Sequence, residues 1–196
     1  ITLRGLNFPY FLVVDMDKTR FDKKTGTGSM MDIIKHIEAF YYKNPNDFPF
    51  DTIAVESLTH YVDLITEQIT NGSTKNMAQN DWGTLSSHVR TVQTRLRRLQ
   101  VHTVFTALDA TESDADGKVL FGRPQLPGQL ATKFPSSCDV SGYCDLVKSG
   151  DGMLYRAHFE QYRHYPARSR FKRLPKMVAN FNFDDIKDAL EPDVAT

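Results

Sequence analysis

Residues 11 to 22, FLVVDMDKTRFD, run four apolar side chains straight into Asp15, Asp17 and Thr19 at alternate positions. Two carboxylates at the end of an apolar strand suit phosphoryl chemistry, because hard oxygen donors hold magnesium and a carboxylate can attack phosphorus itself. The stretch poses a choice between the nucleophile strand of a phosphatase and a strand of a nucleotide-driven motor. Two further stretches bear on that choice. FDTIAVESLTHY, residues 50 to 61, closes an apolar run on Glu56 and Ser57, and YPARSRFKRLP, residues 165 to 175, sets Arg168 and Arg170 in a basic turn. A guanidinium suits phosphate because its planar fork pairs two oxygens at once and stays charged.

Such side chains need elements to position them. Short apolar runs alternate with helical patterns along the chain, the signature of an α/β sheet. Tyr10 to Val14 reads as one strand and Thr52 to Val55 as another, the latter preceded by the Pro- and Asp-rich turn NPNDFPFD. Ser29 is placed to cap a helix over Met30 to Tyr42 with Ile33, Ile34 and Ile37 on one face. Leu58 to Ile69 reads as a helix ending in the polar loop TNGSTKNMAQN. Asp81 is expected to cap the most regular helix, in which Leu85, Val89, Val92, Leu96 and Leu99 fall on one face and Arg90, Arg95, Arg97 and Arg98 form a solvated one. VHTVFTAL reads as a third strand feeding a long loop from Asp109 to Pro135, punctuated by Gly and Pro. GMLYRAHFEQY reads as a further strand and NFDDIKDAL as a short amphipathic helix. The expected sheet is mainly parallel, with strands 10–14, 52–55 and 102–107 as neighbours and Asp17 and Glu56 both at carboxyl ends on one edge.

A chain of 196 residues that is 40% hydrophobic and 24% charged can bury one sizeable core. The formal net charge is zero, so any nucleic-acid contact must use a local patch. No apolar run reaches the length of a membrane span. Cys138 and Cys144, separated by five residues, fit neither a zinc ribbon nor a redox pair and point to a reducing, cytoplasmic compartment. The first residue is Ile1, no signal-peptide pattern follows it, and a segment upstream is expected to have been lost, processed or left out. There is no internal repeat.

Two families share features with these stretches. Asp15-x-Asp17-x-Thr19 resembles the nucleophile motif of the haloacid-dehalogenase phosphatases, and NFNFDDIKDA resembles the acidic motif that completes their magnesium site. That resemblance implies Asp15 as nucleophile and Asp17 as general acid. FDTIAVESLTHY instead resembles the Walker B strand of a RecA-like ATPase. In order along the chain, NDWGTLSSHVRTVQTRLRRLQVHTVFTAL, GRPQLPGQLATKFPSSCDVSGYCDLV and YPARSRFKRLP are similar to the phage-encoded AAA-type branch of those ATPases, recombination proteins that act on single-stranded DNA. This second resemblance covers residues from about 8 to 175, most of the chain.

The motor resemblance implies a RecA-like P-loop NTPase core over residues 1–175 and a tail over 176–196. It implies ATP and Mg2+ as cofactors, with Glu56 as the metal-side acid, Ser57 reaching the metal through water, Asp15 in support and Asp17 orienting the attacking water. Leu108 stands where relatives carry a polar sensor, a role Thr106 or Asp109 would have to take. Arg168 and Arg170 match basic positions that reach a neighbouring subunit's phosphate, so a homo-oligomer, ring or filament, is expected. DNA contacts are expected from loop 70–80, with Lys75, and loop 109–134, with Lys118, Arg123 and Lys133. A phage origin would place the protein in the host cytoplasm. No G-x-x-x-x-G-K-[ST] occurs in the chain, and KKTGTGSMM lacks a Lys before its Ser, so it reads as a turn with a helix cap. The phosphate loop is expected just upstream of Ile1, and these 196 residues alone are expected to turn over ATP poorly. The alternatives are a catalytically inactive RecA-like assembly subunit and the magnesium-dependent phosphatase.

Overall fold

A computed structural model describes residues 21–22, 27–70, 77–150, 152–182 and 184–190. Asp15, Asp17, Lys75 and the expected strand at 10–14 lie outside the described residues. The chain divides into two compact units, one ending at Leu108 and one beginning at Asp109.

In the first unit a two-residue ladder, β1 (Phe21–Asp22) against β2 (Thr27–Gly28), leads into helix α1 (Ser29–Lys43). The buried face of α1 is Met30, Met31, Ile34 and Tyr41, while Ile33 and Ile37 are only half-buried, so the apolar stripe is rotated from the expected isoleucine face. A short 3-10 turn at Pro45–Asp47 reverses the chain. Phe48 then packs edge-on against Tyr41 at 5.3 Å between ring centroids. Strand β3 (Thr52–Val55) and helix α2 (Leu58–Thr70) follow as expected, joined through a cis Glu56–Ser57 peptide bond. Helix α3 (Gln79–Leu96) starts two residues before Asp81. Asp81 serves as the third residue of the helix, its carboxylate accepting the Ala78 N–H at 3.1 Å. Trp82, in the same turn, is partly exposed.

The predicted apolar face of α3 is buried in full: Leu85, Val89, Val92, Leu96 and Leu99 are all at most 3% exposed. They pack with Leu58, Tyr61, Val62, Ile65 and Ile69 of α2, and each such side chain contributes about 1.5–3 kcal/mol by leaving water. The Tyr61 hydroxyl has no water to turn to, and it lies 2.5 Å from Nε2 of His88, which ties α2 to α3. Burial pushes the Tyr61 phenol pKa well above its ordinary value. Strand β4 (His102–Phe105) then pairs parallel to β3, in register from Thr52 with His102 to Val55 with Phe105.

The second unit overturns the expected long loop. Residues Asp109–Ser113 (β5) and Val119–Pro124 (β6) form an antiparallel hairpin, followed by helix α4 (Leu130–Ser137). The turn between the strands is built by Asp114, whose carboxylate accepts the N–H groups of Asp116 at 3.0 Å and Lys118 at 2.8 Å. Gly117 supplies the positive φ of 78° that this turn requires. Strand β7 (Val140–Ser141) pairs with β10 (Arg168–Ser169). Strand β8 (Tyr143–Ser149), which periodicity did not mark, pairs with the expected strand β9 (Gly152–His158), and β11 (Met177–Ala179) completes a three-stranded sheet in the order β11, β9, β8. Helix α5 (Asp184–Lys187) buries Ile186 in a small core with Ala157, Phe159 and Leu174.

The mainly parallel sheet is thereby corrected. Among the described residues only β3 and β4 are parallel, and every other ladder is antiparallel. The physical reason is connection length: two residues separate Ser149 from its partner Gly152, too few for the crossover a parallel pair needs. Also among the described residues, no helix is long and apolar enough to cross a membrane.

Candidate functional site

The parallel pair β3 and β4 brings two chain segments to one end of the sheet. Strand β3 ends on Val55, and Glu56 follows, exposed, its carboxylate without an ion-pair or hydrogen-bond partner among the described residues. Ser57 Oγ accepts the His60 N–H at 3.2 Å, so the serine caps α2 and retains one lone pair. The chain leaving β4, through Thr106 and Leu108, is sewn to the same turn by three hydrogen bonds. Thr106 donates its N–H to the Val55 carbonyl at 3.1 Å and accepts the Leu58 N–H at 2.7 Å, and the Leu108 N–H donates to the buried Thr59 hydroxyl at 3.1 Å. The Leu58 N–H is one of the four donors that α2 cannot satisfy internally, so β4 completes the helix while fixing the residues on either side of Glu56 and Ser57.

Glu56 and Ser57 are hard oxygen donors, the kind magnesium prefers. Among the described residues there is no group of three or more His, Cys, Asp or Glu placed to hold a metal. One carboxylate beside one hydroxyl fits a magnesium ion that takes its remaining ligands from water and phosphate. Leu108 is 59% exposed and offers only its backbone, which Thr59 already engages.

In the second unit, the Arg168 guanidinium donates to the backbone carbonyls of Ser136 and Cys138. Arg170 pairs with Asp139 at 3.0 Å, both side chains about half exposed. The three basic residues expected to share one DNA-facing loop lie instead on three elements. Lys118 is in the hairpin turn, Arg123 is on β6 paired to Glu112 at 2.8 Å, and Lys133 is on α4. The Arg123 Nε has no acceptor among the described residues.

A polar and aromatic cluster was missed by the sequence reading. Asp145 accepts from Arg156 Nε at 2.9 Å and Nη2 at 2.5 Å and from His158 at 3.3 Å, and Arg156 reaches the Tyr162 hydroxyl at 3.0 Å. The Arg156 hydrogen bonds hold the Asp145 carboxyl below the ordinary value of 3.8. Above this pair, His158 stacks on Tyr162 at 3.8 Å and Tyr143 on Tyr165 at 3.7 Å between centroids. The Tyr165 hydroxyl donates to Asp109 at 2.8 Å, which raises its pKa. Gly122 is required beneath that ring, since a Cβ there would lie 2.4 Å from it. The cluster braces the Tyr162–Tyr165 turn, from which the chain runs on to Arg168. Its signal was the short Gly-Asp-Gly connection after Ser149, which makes Asp145 and Arg156 direct cross-strand partners.

A family model described as an AAA domain matches residues 2–171, a span that includes Glu56, the hairpin and Arg170. No curated protein and no solved structure matches the chain.

Proposed function

The chain belongs to the AAA domain family, whose members are P-loop-type nucleotide-binding ATPases, and from that premise we propose that it is an ATP-dependent, single-strand DNA-binding recombination protein of RecA-like type. The observation that carries the reading is Glu56, an unpartnered acid at the carboxyl end of a parallel strand, in a turn held by β4 and by the first turn of α2. Open α/β sheets bind ligands at such carboxyl ends.

Glu56 and Ser57 would hold a magnesium ion through its water shell, and such an ion would supply the positive charge that phosphoryl transfer needs. Glu56 would hold a water of the ion's shell, and the remaining lone pair of Ser57 would accept from a second. Asp17 would orient the attacking water, which bonds to the γ-phosphorus as the bond to the ADP oxygen breaks, and would receive the proton the water loses. These 196 residues contain no G-x-x-x-x-G-K-[ST], so the reading assigns the acid side of the site and not the phosphate cradle. Arg168 and Arg170 would reach the phosphate of a neighbouring copy in a ring or filament. The Arg170–Asp139 pair is half exposed, and exposed pairs are weak enough for a triphosphate to displace the carboxylate.

Turnover of MgATP by the full-length protein on single-stranded DNA tests the reading. Arg170→Ala is expected to keep nucleotide binding and to lose turnover by roughly 10³-fold, the scale of a trans-acting arginine. Glu56→Gln should also be inactive. Mixing the two variants should restore part of the activity, because a mixed interface pairs an intact acid with an intact arginine. Retained turnover in either variant, or no rescue when both still assemble, overturns the shared site. Absence of turnover in the unsubstituted full-length protein, with DNA binding intact, identifies an inactive assembly subunit instead.

A further inference from the structure

Helix α3 carries charge that the site above does not use. From Trp82 to Leu108 the sequence holds four arginines and neither Asp nor Glu. Arg95 is engaged by Glu38 of α1, its Nε donating at 2.8 Å. Arg90, Arg97 and Arg98 are exposed. Arg90 and Arg97 lie two turns apart, so they share a face about 10 Å apart along the axis. The exposed Ser87 and Thr94 share that face, which is opposite the buried Leu85, Val92 and Leu96. Compensation of the helix dipole accounts for cations in the last turn. It accounts neither for Arg90 nor for the exclusion of every acid from the segment.

Residues 109–134 have the opposite balance. Asp109, Glu112, Asp114 and Asp116 outnumber Lys118, Arg123 and Lys133, Arg123 is held by Glu112, and Lys118 lies in the turn that Asp114 builds. A protein of zero formal charge must meet a polyanion through a local patch. We infer that the exposed arginines at the end of α3, Arg90 on the helix and Arg97 and Arg98 in the turn that closes it, and not the 109–134 hairpin, are the principal contact for the phosphate backbone of single-stranded DNA, an inference that rests on the DNA-binding reading above. Exposed guanidinium forks bind phosphate oxygens without reading bases, so the contact is sequence-tolerant and salt-dependent.

The test is anisotropy of a fluorescein-labelled oligothymidylate titrated with the full-length protein across a range of salt concentrations. The triple variant Arg90→Gln, Arg97→Gln, Arg98→Gln is expected to bind at least about tenfold more weakly. The slope of log K against log salt should fall by about 2, near 0.7 for each phosphate no longer neutralised. Lys118→Gln with Lys133→Gln should weaken binding less, and the triple Arg→Lys variant should keep most of the slope. An unchanged slope in the triple Gln variant overturns the inference while DNA binding stands. No binding by the unsubstituted protein overturns the inference and the DNA-binding reading together. Binding to phosphatidylserine vesicles in place of the oligonucleotide overturns it in favour of a membrane surface. If the triple Gln variant loses its far-ultraviolet helical signal, Arg90→Gln alone decides, with an expected fall in slope of about 0.7.

Discussion

In the unit ending at Leu108, burial is carried by helices: Leu58, Tyr61, Ile65, Leu85, Val89 and Leu96 are at most 1% exposed. In the unit from Asp109, apolar burial is shared between Leu126, Leu130, Ala131 and Phe134 at α4 and a small core of Ala157, Phe159, Leu174 and Ile186, and a bidentate Asp145–Arg156 pair and two stacks of rings add polar and aromatic contacts. Burial is non-directional and indifferent to proton concentration, whereas an ion pair and a phenol hydrogen bond have fixed geometry and titrate. Glu56 is set on the apolar scaffold. The turn bearing the basic pair follows the polar one, where alternative partners exchange at lower cost.

The largest effect expected from this contrast is Leu85→Ala, which empties a fully buried position and should cost about 2–5 kcal/mol in urea unfolding. A loss below about 1 kcal/mol would mean that the helical unit is not packed as a core.

Next comes Asp145→Asn, which removes the charged acceptor from Arg156 and should cost about 1–3 kcal/mol at neutral pH. The folded-state pKa of Asp145 lies below its ordinary value, so unfolding in acid takes up a proton. The contribution of this group is fully present above about 3.8 and is lost as pH falls through the lowered folded value. Unfolding of the unsubstituted protein should therefore show an acid-dependent loss that the Asn variant lacks. Parallel pH profiles for the two proteins would show that the acid-dependent loss does not come from the Asp145–Arg156 pair.

The smallest effect is Tyr165→Phe, which keeps the stack on Tyr143 but removes the hydrogen bond to the exposed Asp109, and should cost about 0.5–1.5 kcal/mol by thermal unfolding. A loss as large as that of Asp145→Asn would place the hydroxyl, not the ion pair, at the centre of the brace.

The helical unit was legible because its code is local. Spacings of four and three from Leu85 to Leu99 bury one face wherever the helix packs, and Thr52 to Val55 is apolar enough to mark itself as a strand. The second unit was legible in part, through β9 and the tail helix. Strand β5, DATES, has only Ala110 to alternate with polar residues, and β6 carries Gly122 and Pro124, so neither shows the period-two pattern. Their hairpin depends on the Asp114 turn, a side-chain device, and on the clearance of Gly122 beneath Tyr165, a contact that sequence order does not disclose. Glu56 was read at its place by resemblance, but the Thr106 and Thr59 hydrogen bonds around it became visible only with the register of β3 against β4.

Trp82 is the only tryptophan of the chain and belongs to α3, while the stacked Tyr143 and Tyr165 belong to the other unit. The indole is thus an optical label of the helical unit alone. Indole emission follows the helical unit, whereas near-ultraviolet dichroism sums Trp82 and the tyrosines of both units, the stacked phenols among them. Recorded together in one denaturation, coincident transitions describe a single cooperative body and separated ones describe two that melt in turn, without any dye or added residue.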